Sequence, residues 1–186
     1  MRIITGLYKG QKLFQPTDKF TRPLRDMVKE SIFNLIEHSN KINLIIKNIN
    51  VLDLFAGSGS FGLECLSRGA GSVTFVENYI NAFNILKKNI SKLNEKDKSN
   101  ILFSNCFDYL ENIKNLKNKF HLIFLDPPYK EEKINDIINK IREKKILDKN
   151  GIIILHRHSN DKIQIETKTN IIDSRIYGTS KIFFIN

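Results

Sequence analysis

The chain has 186 residues, 41% of them hydrophobic and 27% charged, which is typical of a globular protein with one domain. No apolar run approaches the roughly 18 residues of a membrane-spanning helix, and the amino-terminal MRIITGLYKG lacks a signal-peptide core. We therefore expect a cytoplasmic protein with no membrane partner, in which Cys65 and Cys106 are reduced thiols. The formal net charge of +10 favours an anionic partner such as nucleic acid, although a general abundance of Lys, Asn and Ile accounts for part of it.

Residues 1–46 are predicted to form an amino-terminal appendage to the core. Alternating residues around Gly6 and Gly10 predict a β-hairpin with strands near 2–5 and 11–14. A helix is predicted after Thr21-Arg22-Pro23, because apolar residues then recur at helical spacing, at Met27, Val28, Ile32, Leu35 and Ile36.

Residues 47–186 alternate between short β-rich runs and helical stretches, which predicts successive βα units and a mostly parallel, seven-stranded sheet. The predicted core strands are 51–55, 73–77, 101–104, 120–125 and 152–156, and the predicted helices are 59–68, 79–93, 106–117 and 131–145. Strand-like runs follow near 162–168, 171–177 and 180–185, and the last two predict an antiparallel hairpin at one edge. Ligands of such sheets bind beyond the carboxyl ends of the strands, so the loops after the first four strands are the candidate site.

The first predicted core strand runs into a glycine-rich loop, in the stretch VLDLFAGSGSFGLE. Its segment Gly57-Ser58-Gly59-Ser60-Phe61-Gly62 matches G-x-G-x-x-G between a strand and a helix, the pattern of a nucleotide-cofactor loop. Glu77 ends the next strand, at the separation expected of an acid that binds a ribose hydroxyl. A tight turn that binds nothing is the structural alternative, but two acids at strand ends favour a cofactor.

Asp53 distinguishes between two cofactors that this loop could hold. It lies four residues before Gly57, where its carboxylate would repel the pyrophosphate of NAD. The same carboxylate would attract the ammonium group of S-adenosylmethionine, in a charge-assisted hydrogen bond worth ~1.5–3 kcal/mol. The chain also leaves no room for a second domain that would supply a hydride acceptor, so the sequence favours S-adenosylmethionine.

The loop after the third strand, Asn105-Cys106-Phe107-Asp108, offers weaker candidates. A small polar residue here could contact an adenine edge, and Phe107 could pack on that ring or enter the core. Asp108 could instead cap the following helix. For each of these residues a structural role is equally compatible with the sequence.

The fourth strand ends in LIFLDPPYK, where an acid, two prolines and an aromatic ring follow an apolar run. Methylation of an exocyclic amine on a nucleobase needs acceptors that orient the N–H groups and stabilise the growing positive charge. Asp126 supplies a carboxylate, and Pro127 supplies a carbonyl for which Pro128, having no N–H, does not compete. Tyr129 offers a face on which an extruded base can stack. We interpret Asp126-Pro127-Pro128-Tyr129 as a catalytic amine clamp; the alternative is a proline pair that merely ends a strand.

These motifs together resemble a class I S-adenosylmethionine-dependent methyltransferase, which has a Rossmann-like α/β fold. With RIITGLYKGQKL and TRPLRDMVKESIFNLI near the amino terminus, nearly the whole chain resembles the RsmD family of 16S ribosomal RNA guanine-N2 methyltransferases. The chain departs from the usual family pattern in Leu24-Arg25, where small hydroxyl residues usually follow the proline. It also has Asn105 where the family often has an aspartate.

The resemblance implies roles for the site residues. Asp53 and the loop from Gly57 to Gly59 would hold the methionine part of S-adenosylmethionine, and Glu77 would hold the ribose. Asn105 and Cys106 would contact the adenine, while the clamp from Asp126 to Tyr129 would hold the target guanine of 16S rRNA in the small ribosomal subunit. The predicted cofactor site is completed by flanking positions, namely Phe55, Ala56, Ser58 and Asn78.

Five basic residues of the appendage are expected to dock RNA and help close over the cofactor: Arg2, Lys9, Lys12, Arg22 and Arg25. A solvated basic surface is the alternative. His156-Arg157-His158 ends the fifth strand, where alternate residues face opposite ways and no cysteine or acid lies close by in sequence. We therefore predict no metal there, and a structural role in preference to RNA contact.

Three other functions are compatible with parts of the sequence. A DNA adenine-N6 methyltransferase shares the clamp but usually needs a separate target-recognition segment, for which the chain has little room. A non-catalytic RNA-binding assembly factor would have no use for a carboxylate aimed at an amine. A small NAD-binding oxidoreductase is disfavoured by Asp53. We expect a monomeric methyltransferase.

Overall fold

The computed structural model describes residues 1–18, 24–42, 44–114, 116 and 118–186. The helices are α1 (Asp26–His38), α2 (Ser60–Ser67), α3 (Ile80–Lys92), α4 (Cys106–Asn112) and α5 (Ile134–Glu143), with a 3-10 turn at Lys96–Lys98. The strands are β1 (Asn50–Asp53), β2 (Ser72–Glu77), β3 (Ser99–Phe103), β4 (Phe120–Leu125), β5 (Leu147–His158), β6 (Ile171–Tyr177) and β7 (Ser180–Ile185). No helix in these described ranges is long and apolar enough to cross a bilayer.

The strands form one seven-stranded sheet in the order β3-β2-β1-β4-β5-β7-β6. Strands β1 to β5 pair in parallel, whereas β7 is antiparallel to both β5 and β6. The predicted α/β fold with a mostly parallel sheet and an antiparallel edge hairpin is therefore confirmed. The strand order reverses between β1 and β4, which identifies the carboxyl ends of these two strands as the place for a ligand.

Each face of the sheet supports a separate apolar cluster, because neighbouring residues of a strand point to opposite faces. Val51 packs with α1, α2 and α3 on one face, while Leu52 packs with α4 and α5 on the other. Ile154 and Leu155 of β5 divide between the two clusters in the same way. Both faces are therefore covered, as the near-continuous apolar runs of the parallel strands require.

The predicted strand near 162–168 is wrong, because this segment is a loop with a turn. Its backbone is hydrogen-bonded by a side chain instead of by a strand: Asn135 of α5 donates to the Gln164 carbonyl at 3.0 Å and accepts from Glu166 N–H at 3.1 Å. Ile163 and Ile165 still pack against the core from the loop. The alternation of apolar residues in this segment therefore reflects the burial of these two side chains, and the segment does not pair with a strand.

The predicted amino-terminal hairpin is reduced to one antiparallel bridge, between Arg2 and Lys12. The strand cannot extend because the next backbone donors are used elsewhere. Ile4 N–H and Thr5 N–H donate to the two carboxylate oxygens of Glu64 in α2, at 2.7 and 2.9 Å. The predicted helix is present as α1, although Met27, expected on its apolar face, is 58% exposed.

A fully buried ion pair fixes the appendage to α2. Lys29 Nζ of α1 lies 3.4 Å from Glu64 Oε2, and neither side chain is exposed to solvent. The ammonium group also donates to the Arg2 carbonyl at 2.7 Å and to Ser60 Oγ at 3.2 Å. Arg68 Nε donates to Glu64 Oε1 at 3.0 Å, so every charge in this cluster has several partners.

Candidate active site

The candidate site lies where the carboxyl ends of β1, β2 and β4 meet. Each of these strands ends at or just before an acid: Asp53 for β1, Glu77 for β2 and Asp126 for β4. The carboxylates of Glu77 and Asp126 both raise the pKa of Asp53. The structure thus brings together three of the predicted site residues, and it gives this edge of the sheet an environment that favours a cationic group.

Glycines shape the loop between β1 and α2. Gly59 has φ +84°, and a Cβ there would come within 2.4 Å of Leu86 Cδ1. Gly62 lies in the first turns of α2, where a Cβ would come within 2.3 Å of the Phe75 ring of β2. The glycine pattern therefore has a physical basis in this structure, a left-handed turn followed by close packing of helix on strand.

Glu77 holds the glycine loop through its carboxylate. Its Oε2 accepts from Gly57 N–H at 2.6 Å, and its Oε1 accepts from Tyr79 N–H at 2.7 Å. Burial raises the pKa of Glu77, while these backbone N–H groups oppose the rise. The predicted contact to a ribose remains a prediction, in which the carboxylate would bind the sugar from a position fixed by the loop.

Asp53 carries the most unusual electrostatics of the site. The residue is 1% exposed, and its Oδ2 accepts from Gly62 N–H at 3.1 Å. Its Oδ1 is buried without a hydrogen-bond partner among the described residues. The pKa of Asp53 is raised to about 8, chiefly by burial and also by Asp126 and Glu77, while the bond from Gly62 N–H opposes the rise. A buried acceptor without a donor is costly. The carboxyl groups at this edge of the sheet therefore fit a ligand that brings a positively charged hydrogen-bond donor.

The remaining predicted cofactor residues have mixed environments. Asn105 is exposed and caps α4, since its side-chain oxygen accepts from Phe107 N–H at 2.8 Å; the cap is therefore not Asp108. Burial raises the pKa of the Cys106 thiol to about 12, which makes it an unreactive packing group. The others flank the three acids: Phe55 is half-buried, Ala56 and Ser58 are buried, and Asn78 is exposed. The adenine contacts remain predictions.

The clamp loop directly follows β4. Asp126 is half-buried, with 21% of its side chain exposed, and its Oδ1 lies 2.8 Å from Nδ1 of His156. Pro127 is buried, and its carbonyl accepts no hydrogen bond from the described residues. Tyr129 is 38% exposed. The loop thus offers a carboxylate, an uncommitted carbonyl and an accessible ring in sequence, as its motif predicts.

The residues that hold this loop were predicted to be structural, but the sequence did not connect them with the clamp. His156, Arg157 and His158, at the end of β5, all contact the clamp. Three polar residues in a row after an apolar strand were a visible signal. Their partner was not visible, because the contact depends on β5 lying beside β4 in the sheet.

The predicted RNA-binding residues lie on the appendage, which precedes the three acids in the sequence. Lys9, Lys12 and Arg25 are exposed, and Arg2 is exposed beside Asp26, with its Nε 3.4 Å from Oδ2. Arg22 lies outside the described residues. Near Lys12, a shallow surface cavity is lined by Phe14, Lys87, Lys88, Ser91 and Lys92. The RNA-binding role of these residues remains a prediction.

No cluster of three or more histidine, cysteine or acidic side chains that could hold a metal ion occurs among the described residues. His156 and His158 contact the clamp loop instead of converging on a common point.

Comparison with known proteins places the whole chain in one family. The model of a family described as "Conserved hypothetical protein 95" matches residues 1–186. The chain belongs to this family. It is 33% identical over 186 residues to "Ribosomal RNA small subunit methyltransferase D" of Haemophilus influenzae, covering 95% of this chain and 93% of the relative. The resemblance to the RsmD family is thereby confirmed.

Other members of the family agree in sequence and in fold. The protein of the same name in Buchnera aphidicola from Acyrthosiphon pisum is 31% identical over 174 residues, with 94% of this chain and 86% of the relative covered. A solved structure from Escherichia coli, described as "Putative methyltransferase yhhF", superposes with a TM-score of 0.82 at 26% identity. The superposition covers 100% of this chain and 96% of that chain. The α/β fold of the family therefore extends over the full length of this protein.

Proposed function

We propose that the protein transfers a methyl group from S-adenosylmethionine to the exocyclic N2 amine of a guanine in 16S rRNA. The observation that carries the proposal is the clamp. A half-buried Asp126 carboxylate and the uncommitted carbonyl of the next residue, Pro127, lie at the end of β4, where the strand order of the sheet reverses. The family relatives named as small-subunit rRNA methyltransferases support the substrate class.

The cofactor site fits S-adenosylmethionine better than a dinucleotide. When bound, S-adenosylmethionine supplies an electrophilic methyl group on a positively charged sulfur. The unpartnered Oδ1 of Asp53 would accept from an ammonium group, and the loop from Gly57 to Gly59 would line the methionine part. Glu77, Asn78 and Asn105 lie at the ends of β2 and β3, where ribose and adenine would follow. A pyrophosphate would instead face three carboxylates.

The clamp residues act on the amine of the target base. The lone pair of an exocyclic amine is delocalised into the ring, so the nitrogen is a poor nucleophile until it becomes pyramidal. Asp126 and the Pro127 carbonyl each accept one N–H, which orients the nitrogen and stabilises its growing positive charge. Asp126 need not be a strong base, because attack on the methyl group gives a positively charged amine, which is acidic enough to lose its proton to water.

Tyr129 would hold the base in place. Its ring is accessible, and stacking of a base on an aromatic side chain contributes ~1–3 kcal/mol. This offsets much of the few kcal/mol needed to unstack the target. The basic side chains of the appendage would bind phosphates with little dependence on sequence, so the choice of target depends on the clamp and on the presented RNA structure.

The proposal is tested by identifying the methylated nucleoside. The purified protein and labelled S-adenosylmethionine are incubated with small ribosomal subunits lacking the modification, with naked 16S rRNA and with duplex DNA. Mass spectrometry is expected to find N2-methylguanosine in the subunit, and none with the Asp126→Ala variant. N6-methyladenine in DNA would contradict the proposed substrate while retaining the clamp, and the absence of any label would contradict the reaction.

A further inference from the structure

Three consecutive residues at the end of β5 contact the clamp loop. His156 lies beside the Asp126 carboxylate, and Arg157 donates to two carbonyls of the loop. The ring of His158 meets the Tyr129 ring edge-on, with centroids 5.3 Å apart and planes at 81°. The reason is the register, since Leu125 of β4 pairs with Leu155 of β5 and the next residues are Asp126 and His156.

His156 is a hydrogen-bond donor to Asp126. Its Nδ1 lies 2.8 Å from Oδ1 of the carboxylate, and its Nε2 lies 2.9 Å from Ser180 Oγ. A nitrogen lone pair facing a carboxylate at this distance would be repulsive, so Nδ1 carries a proton whether the imidazole is neutral or charged. The Ser180 hydroxyl can donate to Nε2 and hold the neutral ring in this tautomer. The side chain of His156 is 9% exposed, so packing also restricts its orientation.

Arg157 acts on the backbone of the same loop. Its Nη1 donates to the Pro128 carbonyl at 3.1 Å, and its Nη2 donates to the Tyr129 carbonyl at 2.9 Å. Its Nε donates to Asp161, and only 2% of the arginine side chain is exposed. The planar guanidinium thus fixes the two carbonyls that follow Pro127, and the Pro127 carbonyl is left uncommitted.

We infer that His156 and Arg157 are positioning residues, which orient the Asp126 carboxylate and the Pro127 carbonyl toward the amine of the target base. The inference rests on the proposed function, because it assigns these two acceptors to one amine. A pair of acceptors is effective only when both are held in a fixed geometry, and a misplacement of ~1 Å costs on the order of 10²-fold in rate. The inference assigns neither residue a contact with the base itself.

Two substitutions of His156 separate positioning from packing. In His156→Asn, the amide nitrogen occupies the place of Nδ1 and keeps a donor for Asp126. In His156→Gln, the amide group reaches the place of Nε2 and keeps the contact with Ser180, but the donor for Asp126 is lost. The two variants have similar polarity, so a purely structural role predicts similar behaviour.

The measurements are the single-turnover rate of methyl transfer, the KM for RNA and the Kd for S-adenosylmethionine. His156→Gln is expected to lower the rate by ~10²-fold while KM and Kd change by less than about twofold, because a positioning residue acts on the transition state and not on the binding of RNA or cofactor. His156→Asn is expected to recover most of the lost rate. Equal losses in both variants, or a loss confined to the Kd for S-adenosylmethionine, would overturn the inference.

Arg157→Lys provides a second arm. Lysine keeps the positive charge for Asp161, but its ammonium group cannot reproduce the fork that holds two carbonyls. A fall in transfer rate of roughly 10-fold with an unchanged Kd for S-adenosylmethionine is expected. Thermal unfolding is recorded for each variant, and the His156 pair remains decisive if Arg157→Lys does not fold.

Failure of the inference and failure of the proposed function give different results. If the wild type methylates an adenine amine, the assigned substrate is wrong, but the contrast between the two His156 variants still tests positioning. The imidazole ¹⁵N shifts of His156 provide a readout that needs no substrate. A proton on Nδ1 is expected, and a lone pair on Nδ1 would refute the inference whatever the enzyme methylates.

Discussion

Glu64 in α2 and Asp53 at the end of β1 are both buried carboxylates, yet their surroundings differ. Glu64 accepts from the N–H groups of Ile4 and Thr5 and lies against Lys29 and Arg68. Asp53 accepts only from Gly62 N–H and has one oxygen without a partner among the described residues. A buried carboxylate with several partners indicates a structural contact, whereas a buried carboxyl oxygen that lacks a partner indicates a place for a ligand.

The largest expected effect comes from the third carboxylate, Asp126, which is half-buried and held on one side by His156. Asp126→Ala removes one of the two acceptors of the clamp, so the rate of methyl transfer should fall by about 10³-fold. The Kd for S-adenosylmethionine should remain close to that of the wild type. Rapid-quench transfer assays and calorimetry measure the two quantities, with the exposed Glu132→Gln as control. A matching loss of cofactor affinity would show that the assigned role is wrong.

Glu64→Gln tests the buried carboxylate that has several hydrogen-bond and ion-pair partners. The change leaves Lys29 and Arg68 without their buried counter-charge, and the free energy of unfolding should fall by about 3–5 kcal/mol. Urea unfolding measures the loss. Glu37→Gln, at the half-exposed carboxylate that pairs with Arg68, is the matched control and should cost less than about 1 kcal/mol. Similar losses in both variants would remove the distinction between a buried joint and a surface ion pair.

Asp53→Asn tests the buried carboxyl group that has one oxygen without a partner among the described residues. The amide brings no negative charge to an ammonium group, so the affinity for S-adenosylmethionine should fall by the equivalent of about 1.5–3 kcal/mol. Calorimetry measures the loss, and the exposed Asp97→Asn is the control. An unchanged affinity would mean that Oδ1 of Asp53 does not bind the cofactor.

The same variant should change how stability depends on pH. The pKa of Asp53 is about 8 in the folded protein, against 3.8 for an ordinary aspartate side chain. Its contribution to stability is therefore fully present below pH 3.8 and is lost as the pH rises to about 8. Unfolding without cofactor should show Asp53→Asn gaining stability over the wild type from pH 5 to pH 8, with Asp97→Asn showing no such gain. A constant difference across this range would contradict the raised pKa.

The smallest expected effect is that of Ser60→Ala, which removes one of three partners of the Lys29 ammonium group. The ion pair with Glu64 and the bond to the Arg2 carbonyl remain, so the free energy of unfolding should fall by only ~0.5–1.5 kcal/mol. Urea unfolding alongside Glu64→Gln gives the comparison. A loss as large as that of Glu64→Gln would show that the remaining partners of Lys29 do not compensate for the loss of the Ser60 hydroxyl.

Much of the candidate site could be predicted from the sequence, because its residues follow directly on apolar runs. The strand runs near Asp53, Glu77 and Asp126 predicted β1, β2 and β4 to within two residues at each end. Parallel strands bring their carboxyl ends to one edge, so the three acids were expected to lie close together. The glycine spacing also predicted a loop between a strand and a helix, which the structure has between β1 and α2.

The rest could not be predicted, because it depends on contacts between distant parts of the chain. Nothing in the spacing of Lys29 and Glu64 shows that α1 and α2 bury these charges against each other. The role of His156 requires β5 to lie beside β4, and the alternation of strand residues argued only against a metal. The error near 162–168 has a similar origin, since the side chain of Asn135 takes the hydrogen bonds that a neighbouring strand would have provided.

The bonds from Ile4 and Thr5 to Glu64 also have a consequence for dynamics. Both amide protons end on a buried carboxylate in α2 and not on a flexible strand edge. They can exchange with solvent deuterium only when the amino-terminal segment separates from the helix that begins at the glycine loop. Their exchange rates therefore measure how often that opening occurs, and slower exchange in the presence of S-adenosylmethionine would show that cofactor binding opposes the opening.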